Sequence, residues 1–194
     1  IQLMVDANQI WGVKEAIDYI KEIADFGLLW IEEPTARDDV LAHQIIAREL
    51  NAIGIGIAAG EQIPSPTLFK QMLTSGALQF CQIDATRMGG VNDVLAVILL
   101  AEKYGIPVCP HGGGIGLCNM IIHFAVWDQI CVIDKVKDNR FVEYIDFLQN
   151  GVFVNPIEVV DGQYTLPKAN GWGLEIKEDF ISNYIYPTGK IWRK

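Results

Sequence analysis

Six ionisable residues recur along the chain, and each of them ends a short apolar run of the kind that forms a strand. The intervals between them are 23 to 32 residues long. In chain order they are Asp6, Glu32, Glu61, Asp84, His111 and Glu143. Carboxylates can bind a hard divalent cation, and a histidine beside a carboxylate can move a proton. We therefore predict a site made of strand ends, if the fold brings these ends together.

The elements that carry these residues alternate between strand-like and helical patterns. The strand-like runs are IQLMVDA, LLWIEEP, IGIGIAAGE, LQFCQIDA, IPVCPH and FVEYID. The helical patterns are VKEAIDYIKEIADFG, DDVLAHQIIAREL, SPTLFKQMLTSG, NDVLAVILLAEKYG and GLCNMIIHFAVWDQI. Such alternation predicts a parallel sheet of βα units. The repeat length, and an ionisable residue at every strand end, favour a (β/α) barrel over a doubly wound sheet.

The predicted fold class is α/β, as a partial TIM-type barrel with about six βα units over residues 1–148. About two more units should precede residue 1 if the barrel closes, and a barrel without them has open sheet edges. Residues 149–194 are rich in Gly, Pro and Asn, which predicts a C-terminal arm of turns and short strands. We expect this arm to pack on a region outside the chain.

Composition excludes several classes of function. The chain has 194 residues, 51% of them hydrophobic, and a net charge of −9. The acidic balance argues against nucleic acid and against an anionic membrane surface as partners. Four cysteines without C-x-x-C spacing are typical of buried, reduced thiols in a cytoplasmic protein, and no apolar run is long enough to span a bilayer.

Three of the carboxylates are candidate metal ligands. In a barrel, the ends of neighbouring strands meet at the C-terminal mouth, so Asp6, Glu32 and Glu61 should converge there. An all-oxygen donor set favours Mg²⁺ over Zn²⁺. We choose Glu32 over Glu33 because Glu32 shares a strand face with Trp30. The alternative is that each carboxylate is only a solvated strand end.

His111 and Asp84 end adjacent predicted strands. A carboxylate within reach of an imidazole orients the ring and raises its basicity, which favours general acid or base chemistry. The alternative is a buried histidine that serves packing alone. His43 and His123 lie inside helical patterns, and we expect structural roles for both.

Four glycines follow His111 within five residues, at positions 112, 113, 114 and 116. Their spacing matches neither the G-x-G-x-x-G fingerprint nor a P-loop, which argues against a nucleotide. Glycine lets a backbone approach a ligand closely, so we expect this loop to leave room for a substrate.

Taken together, six segments resemble the enolase superfamily, within its mandelate racemase group. They are VDAN, WIEEP, AAGEQ, QIDATRMGG, CPHGGG and GWGLEI. The resemblance implies a capping domain, absent from these residues, in front of a modified barrel. It assigns Mg²⁺ to the three carboxylates named above and acid-base chemistry to His111 with Asp84. It also implies that Asn8 positions a substrate carboxylate and that Glu143 hydrogen-bonds near the substrate.

The resemblance narrows the expected reaction. QID carries no lysine, which favours the histidine-dyad branch, and GIGIAAGEQ with IPVCPHGGGIGLC is similar to the L-fuconate dehydratase subfamily. The expected function is Mg²⁺-dependent dehydration of L-fuconate to 2-keto-3-deoxy-L-fuconate. The expected partner is thus a small sugar acid, and the sequence is compatible with a homo-oligomer. The alternatives are another acid-sugar dehydratase such as one for L-galactonate, a racemase, or a non-catalytic binding module. The group's lysine base, in a K-x-K motif, would precede Asp6, so we expect the 194 residues alone to be inactive.

Overall fold

A four-stranded parallel sheet forms the centre of the computed structural model, which describes residues 1–114, 117–145 and 149–193. Its strands are β1 (Leu3–Asp6), β2 (Leu28–Glu32), β3 (Gly56–Ala59) and β4 (Phe80–Cys81). They pair in chain order, β1-β2-β3-β4, and every pairing is parallel. All strands therefore end at the same edge of the sheet, which we call the mouth.

The predicted helices are confirmed, and each follows a strand. They are α1 (Val13–Glu22), α2 (Val40–Asn51), α3 (Pro66–Thr74), α4 (Val91–Lys103) and α5 (Leu117–Trp127). Local chemistry sets their starts: Asp39 caps α2 by accepting a hydrogen bond from the amide of Ala42, and Ser65 caps α3 ahead of Pro66. No helix among the described residues is long and apolar enough to cross a membrane.

The fifth predicted strand is extended, but it forms only an isolated bridge, between Cys81 and Val108. The amide of Cys81 donates to Pro107 O, and the amide of His111 donates to Ile83 O. The amide of Cys109 returns a bond to Cys81 O at 2.8 Å, but Pro107 has no N–H for the preceding bond of the ladder, to Gln79 O.

The sixth predicted strand, FVEYID, is wrong as regular structure over the described residues 141–145. The amide of Glu143 donates to Pro110 O at 3.2 Å, which keeps this segment beside the fifth strand. A regular parallel ladder with this bond would also have residue 110 donate to Phe141 O and Gly112 donate to Glu143 O. Pro110 has no N–H, so the first of these bonds is missing. Residues 146–148 lie outside the described part of the chain.

The sheet curls, as a partial barrel requires. One face packs against the helices and forms the main core, which includes Ile31, Ile57 and Phe69. On the other face the ring of Trp30 lies 4.7 Å from that of Phe80 and 5.8 Å from that of Phe141. Trp30 belongs to β2, whereas Phe141 begins the sixth predicted strand, FVEYID, at the far side of the sheet. The contact between their rings therefore requires a curved sheet.

A buried ion cluster anchors the segment that leads to Glu143. The guanidinium of Arg140, with 4% of its side chain exposed, pairs with Asp128 and, at 2.7 Å, with Glu102. Asp128 begins a π-helical turn at the end of α5, and Glu102 lies in α4. The cluster therefore ties residue 140 to two helices.

The C-terminal arm contains the short helix α6 (Gln149–Val152), the strands β5 (Val159–Val160) and β6 (Gln163–Tyr164), and the helix α7 (Glu178–Tyr184). Asp161 and Gly162 both have positive φ between β5 and β6, as a two-residue hairpin turn of type I′ requires. The predicted turns and short strands are confirmed. The arm also packs within the chain, because the ring of Trp172 lies 5.6 Å from that of His123 on α5.

All four cysteines are free. Cys81, Cys109 and Cys118 are buried, as predicted, whereas Cys131 is exposed. His43 is fully buried, and its Nδ1 lies 2.9 Å from Asp39 O, which fits the predicted structural role.

Candidate active site

Sheet register places Asp6 and Glu32 side by side at the mouth. Their Cα atoms are partners in the β1–β2 pairing, and Glu32 is in turn the partner of Ala58 in β3. Partners in parallel strands point to the same face, so both carboxylates lie on the face that carries Trp30. Glu33 differs: its φ is 38°, it is 2% exposed, and it accepts a hydrogen bond from Gln9.

The electrostatics of Glu32 show that several carboxylates converge on it. The pKa of Glu32 is raised to about 7, chiefly by burial and also by the negative charges of Asp6, Glu143 and Glu61. A hydrogen bond with the side chain of Gln82 opposes the shift. Carboxylates crowded in this way favour a proton or a cation between them.

His111 and Asp84 meet as predicted. Nδ1 of His111 lies 2.8 Å from Oδ2 of Asp84, whose side chain is 1% exposed. The other oxygen of Asp84 accepts hydrogen bonds from both the amide and the hydroxyl of Thr86, each at 2.7 Å. Burial by itself would raise the pKa of Asp84, but the bonds from His111 and Thr86 outweigh it, and the pKa lies below its usual value.

The second nitrogen of His111 faces the mouth. Its Nε2 lies 3.0 Å from Oε2 of Glu61 and 3.6 Å from Oε2 of Glu143. Burial would lower the pKa of His111, but its bonds to Asp84 and Glu61 raise it to about 10. The bond from His111 likewise lowers the pKa of Glu61 to about 2. The imidazole is therefore protonated at neutral pH, and both of its nitrogens donate.

The donor set fits Mg²⁺ in its chemistry, because Asp6, Glu32 and Glu61 offer oxygens alone. Among the described residues, however, no three His, Cys, Asp or Glu side chains stand ready to hold a metal ion. Glu61 explains this, because its Oε2 faces His111 and its Oε1 accepts from Gln62 at 2.9 Å. Both oxygens of Glu61 are therefore bonded to neighbouring side chains in the metal-free structure.

Glu143 and the glycine loop are joined directly. The amide of Gly112 donates to Oε2 of Glu143 at 2.6 Å. A Cβ at Gly112 would lie 3.0 Å from Ile145 Cγ1 and 3.3 Å from Glu143 O. The space at Gly112 is therefore filled by the chain itself, where we expected room for a substrate. Gly116 lies outside the described residues.

Asn8 sits at the rim of the mouth, exposed and with a φ of 49°. Its amide donates to Oδ1 of Asp6 at 2.7 Å. The adjacent Gln9 also has positive φ. Two consecutive left-handed residues are uncommon outside glycine, and such conformations cluster at functional sites.

Sequence reasoning missed three residues at this site. Arg87 donates to Glu61 O at 3.0 Å and to its Oε1 at 3.1 Å, and Thr86 holds Asp84. Gln82 is 5% exposed and bonds Glu32. Strand alternation could have found Gln82, which is two residues before Asp84, whereas no local pattern indicates the partners of Arg87.

Comparison with known proteins identifies the family of this chain. Residues 1–180 match the family model described as Enolase C-terminal domain-like. Among curated proteins, the Mitochondrial enolase superfamily member 1 of Homo sapiens is 46% identical over 192 residues, which cover 99% of this chain and 43% of that protein. The L-galactonate dehydratase of Hypocrea jecorina is 44% identical, over 97% of this chain and 41% of its own length.

Solved structures show the same relationship. The crystal structure of human Mitochondrial enolase superfamily member 1 matches with a TM-score of 0.92 at 46% identity, over 98% of this chain and 43% of that one. The L-talarate/galactarate dehydratase from Salmonella typhimurium LT2, liganded with Mg and L-lyxarohydroxamate, matches with a TM-score of 0.75 at 30% identity, over 92% and 41%. The chain thus spans less than half of these relatives. It belongs to the enolase C-terminal domain-like family.

Proposed function

We propose that the protein containing this chain is a Mg²⁺-dependent hydro-lyase that removes water from a six-carbon sugar acid. One observation carries the proposal: His111, hydrogen-bonded through Nδ1 to buried Asp84, turns its Nε2 to a mouth lined by carboxylates. The relatives support the reaction class, since two of them are named L-galactonate dehydratase and L-talarate/galactarate dehydratase. In this proposal Asp6, Glu32 and Glu61 are the metal ligands.

The metal would serve the first half of the reaction. Bound Mg²⁺ would offset the negative charge that grows on the substrate carboxylate when the neighbouring C2 proton leaves. A structure of an L-talarate/galactarate dehydratase liganded with Mg supports the choice of ion. The family resemblance assigns removal of the proton to a lysine on a segment before Asp6.

His111 would serve the second half as the general acid. As the C3–O bond breaks, Nε2 gives its proton to the departing hydroxyl, which leaves as water. Asp84 holds the ring by Nδ1 and keeps Nε2 aimed at the mouth. The remaining enol then tautomerises to a 2-keto-3-deoxy acid. Asn8 and Glu143 would bind the substrate at the rim, where both are exposed.

Two close analogues, L-fuconate and L-galactonate, are the candidates for the preferred sugar acid. L-fuconate is L-galactonate without its C6 hydroxyl, so the two differ only far from the reacting carbons. The motif wording favours L-fuconate, whereas the relative of 44% identity is named for L-galactonate. We therefore propose L-galactonate as the preferred substrate. The ratio of kcat/KM for the two acids tests this preference.

The test uses the product of the complete reading frame. It is incubated with a panel of six-carbon sugar acids, with Mg²⁺ or with chelator, and 2-keto acid is assayed. We expect metal-dependent product and a loss of at least about 10³-fold in kcat for His111→Asn. His123→Asn, on α5 and against Trp172, is the matched control. Undiminished turnover by His111→Asn would refute the role of this residue.

A different outcome would support the binding-module alternative. Tight binding of a sugar acid without turnover, in a protein that folds and binds Mg²⁺, would mean that the fold is kept and catalysis is not. The cellular compartment stays a prediction, although the vertebrate relatives are named as mitochondrial proteins.

A further inference from the structure

The C-terminal arm reaches the mouth through the side chain of Tyr164. The hydroxyl of Tyr164, in β6, donates to the backbone oxygen of Glu143 at 2.6 Å. The two residues are 21 positions apart. The ring of Tyr164 lies 5.7 Å from that of Tyr144 and packs on the small cluster that contains Cys118 and Ile122. The hydroxyl is therefore held in place by packing on the ring.

In a regular sheet, the backbone oxygen of Glu143 would accept from a neighbouring strand and not from Tyr164. With the amide of Glu143 bonded to Pro110 O, a parallel ladder would send the amide of Gly112 to Glu143 O. In the structure that amide goes instead to the side chain of Glu143, at Oε2. Tyr164 takes the backbone oxygen that is left over.

The exchange of partners sets where the Glu143 carboxylate lies. One of its oxygens is drawn to Gly112, the residue after His111, and that same oxygen lies 3.6 Å from Nε2 of His111. Without Tyr164 the backbone oxygen of Glu143 would need another donor, and the amide of Gly112 is the nearest ladder partner. A return to the regular ladder would release the carboxylate from this position.

We propose that Tyr164 is a positioning residue, through which the C-terminal arm holds Glu143 in the geometry that binds substrate. The inference rests on the proposed function, because that proposal assigns Glu143 to the substrate. It makes the arm a part of the active site, in addition to its packing on α5.

The test compares Tyr164→Phe with Thr165→Val in the complete protein. Thr165 is the next residue of the same arm, and among the described residues its hydroxyl bonds within the arm, to Glu158 O at 3.2 Å. Both changes remove one hydroxyl and little else. We expect Tyr164→Phe to raise KM for the sugar acid about threefold to tenfold, the cost of one neutral hydrogen bond, with a smaller change in kcat. Thr165→Val should leave both constants within about twofold.

A double-mutant cycle shows whether Tyr164 acts through Glu143. In a Glu143→Ala background, Tyr164→Phe should have no further effect on KM, because the carboxylate that it positions is gone. An equal effect of Tyr164→Phe in both backgrounds would overturn the proposal.

A measurement without substrate separates this inference from the proposed function. Amide hydrogen exchange in peptides that cover 108–114 and 141–145 should be faster in Tyr164→Phe than in Thr165→Val. If no sugar acid is turned over, this difference still supports the positioning role. Equal exchange in the two variants would overturn it, whatever the enzyme's activity.

Discussion

Asp84 and His111 form a hydrogen bond of 2.8 Å in which the carboxylate is almost wholly buried and the imidazole faces the mouth. The pairing sets the charge of the ring. Together with Glu61, it raises the pKa of His111 from 6.5 to about 10. In the metal-free protein, a histidine with this pKa carries its proton at neutral pH.

Asp84→Asn should lower the pKa of His111 in the metal-free protein, because the ring loses its charged partner. The folded pKa is raised, so the stability that the proton contributes is complete below about pH 6.5 and is lost as the pH rises through about 10. We expect the variant to show a smaller loss of unfolding free energy over this range. Denaturant titrations at several pH values measure it. Asp18→Asn, which removes an exposed partner of Lys14, is the control and should keep the wild-type profile.

Mg²⁺ binding should weaken as the pH falls below about 7, where Glu32 takes up a proton in the metal-free protein. For competition with one proton, the Kd should rise about tenfold for each pH unit below that value. Calorimetric titration of the chelator-treated protein gives the Kd at each pH. A Kd that stays flat between pH 5 and pH 7 would exclude Glu32 as a ligand that titrates there.

Arg140→Met should destabilise the protein by about 3 to 5 kcal/mol, because it leaves Asp128 buried without its cation. Urea unfolding measures the loss. The matched control is Lys21→Met, which breaks an exposed pair with Glu49 and should cost less than about 1 kcal/mol. Similar losses in the two variants would mean that the buried Arg140 cluster adds no more to the free energy of unfolding than an exposed ion pair does.

Gly112→Ala should impair activity, because the new Cβ would lie 3.0 Å from Ile145 and must push the segment that carries Glu143. We expect a drop in kcat/KM of about tenfold or more, the result of displacing a substrate-binding group. Gly151→Ala is the control, since a Cβ there meets nothing within 4 Å. Wild-type kinetics for Gly112→Ala would show that the loop tolerates the shift.

Local pattern was sufficient for most of the fold. Helical periodicity predicted five helices, and the strand-like runs predicted the four strands of the sheet. The prediction that FVEYID forms a strand is wrong over its described residues, because strand formation depends on the neighbour as well as on the run itself. Here the neighbour is Pro110, which has no N–H to donate.

The candidate site divides in the same way. Sequence pattern was enough to show which residues reach the mouth, because parallel strands end at one edge of a sheet. Asp6 and Glu32 end β1 and β2, and Asp84 lies three residues after β4. The partners of these residues become visible only in the folded chain, where Glu61 pairs with His111 and Tyr164 donates to Glu143 O. Periodicity records whether a side chain is buried. Which side chain it meets depends on the path of segments far away in the chain, and no local pattern records that path.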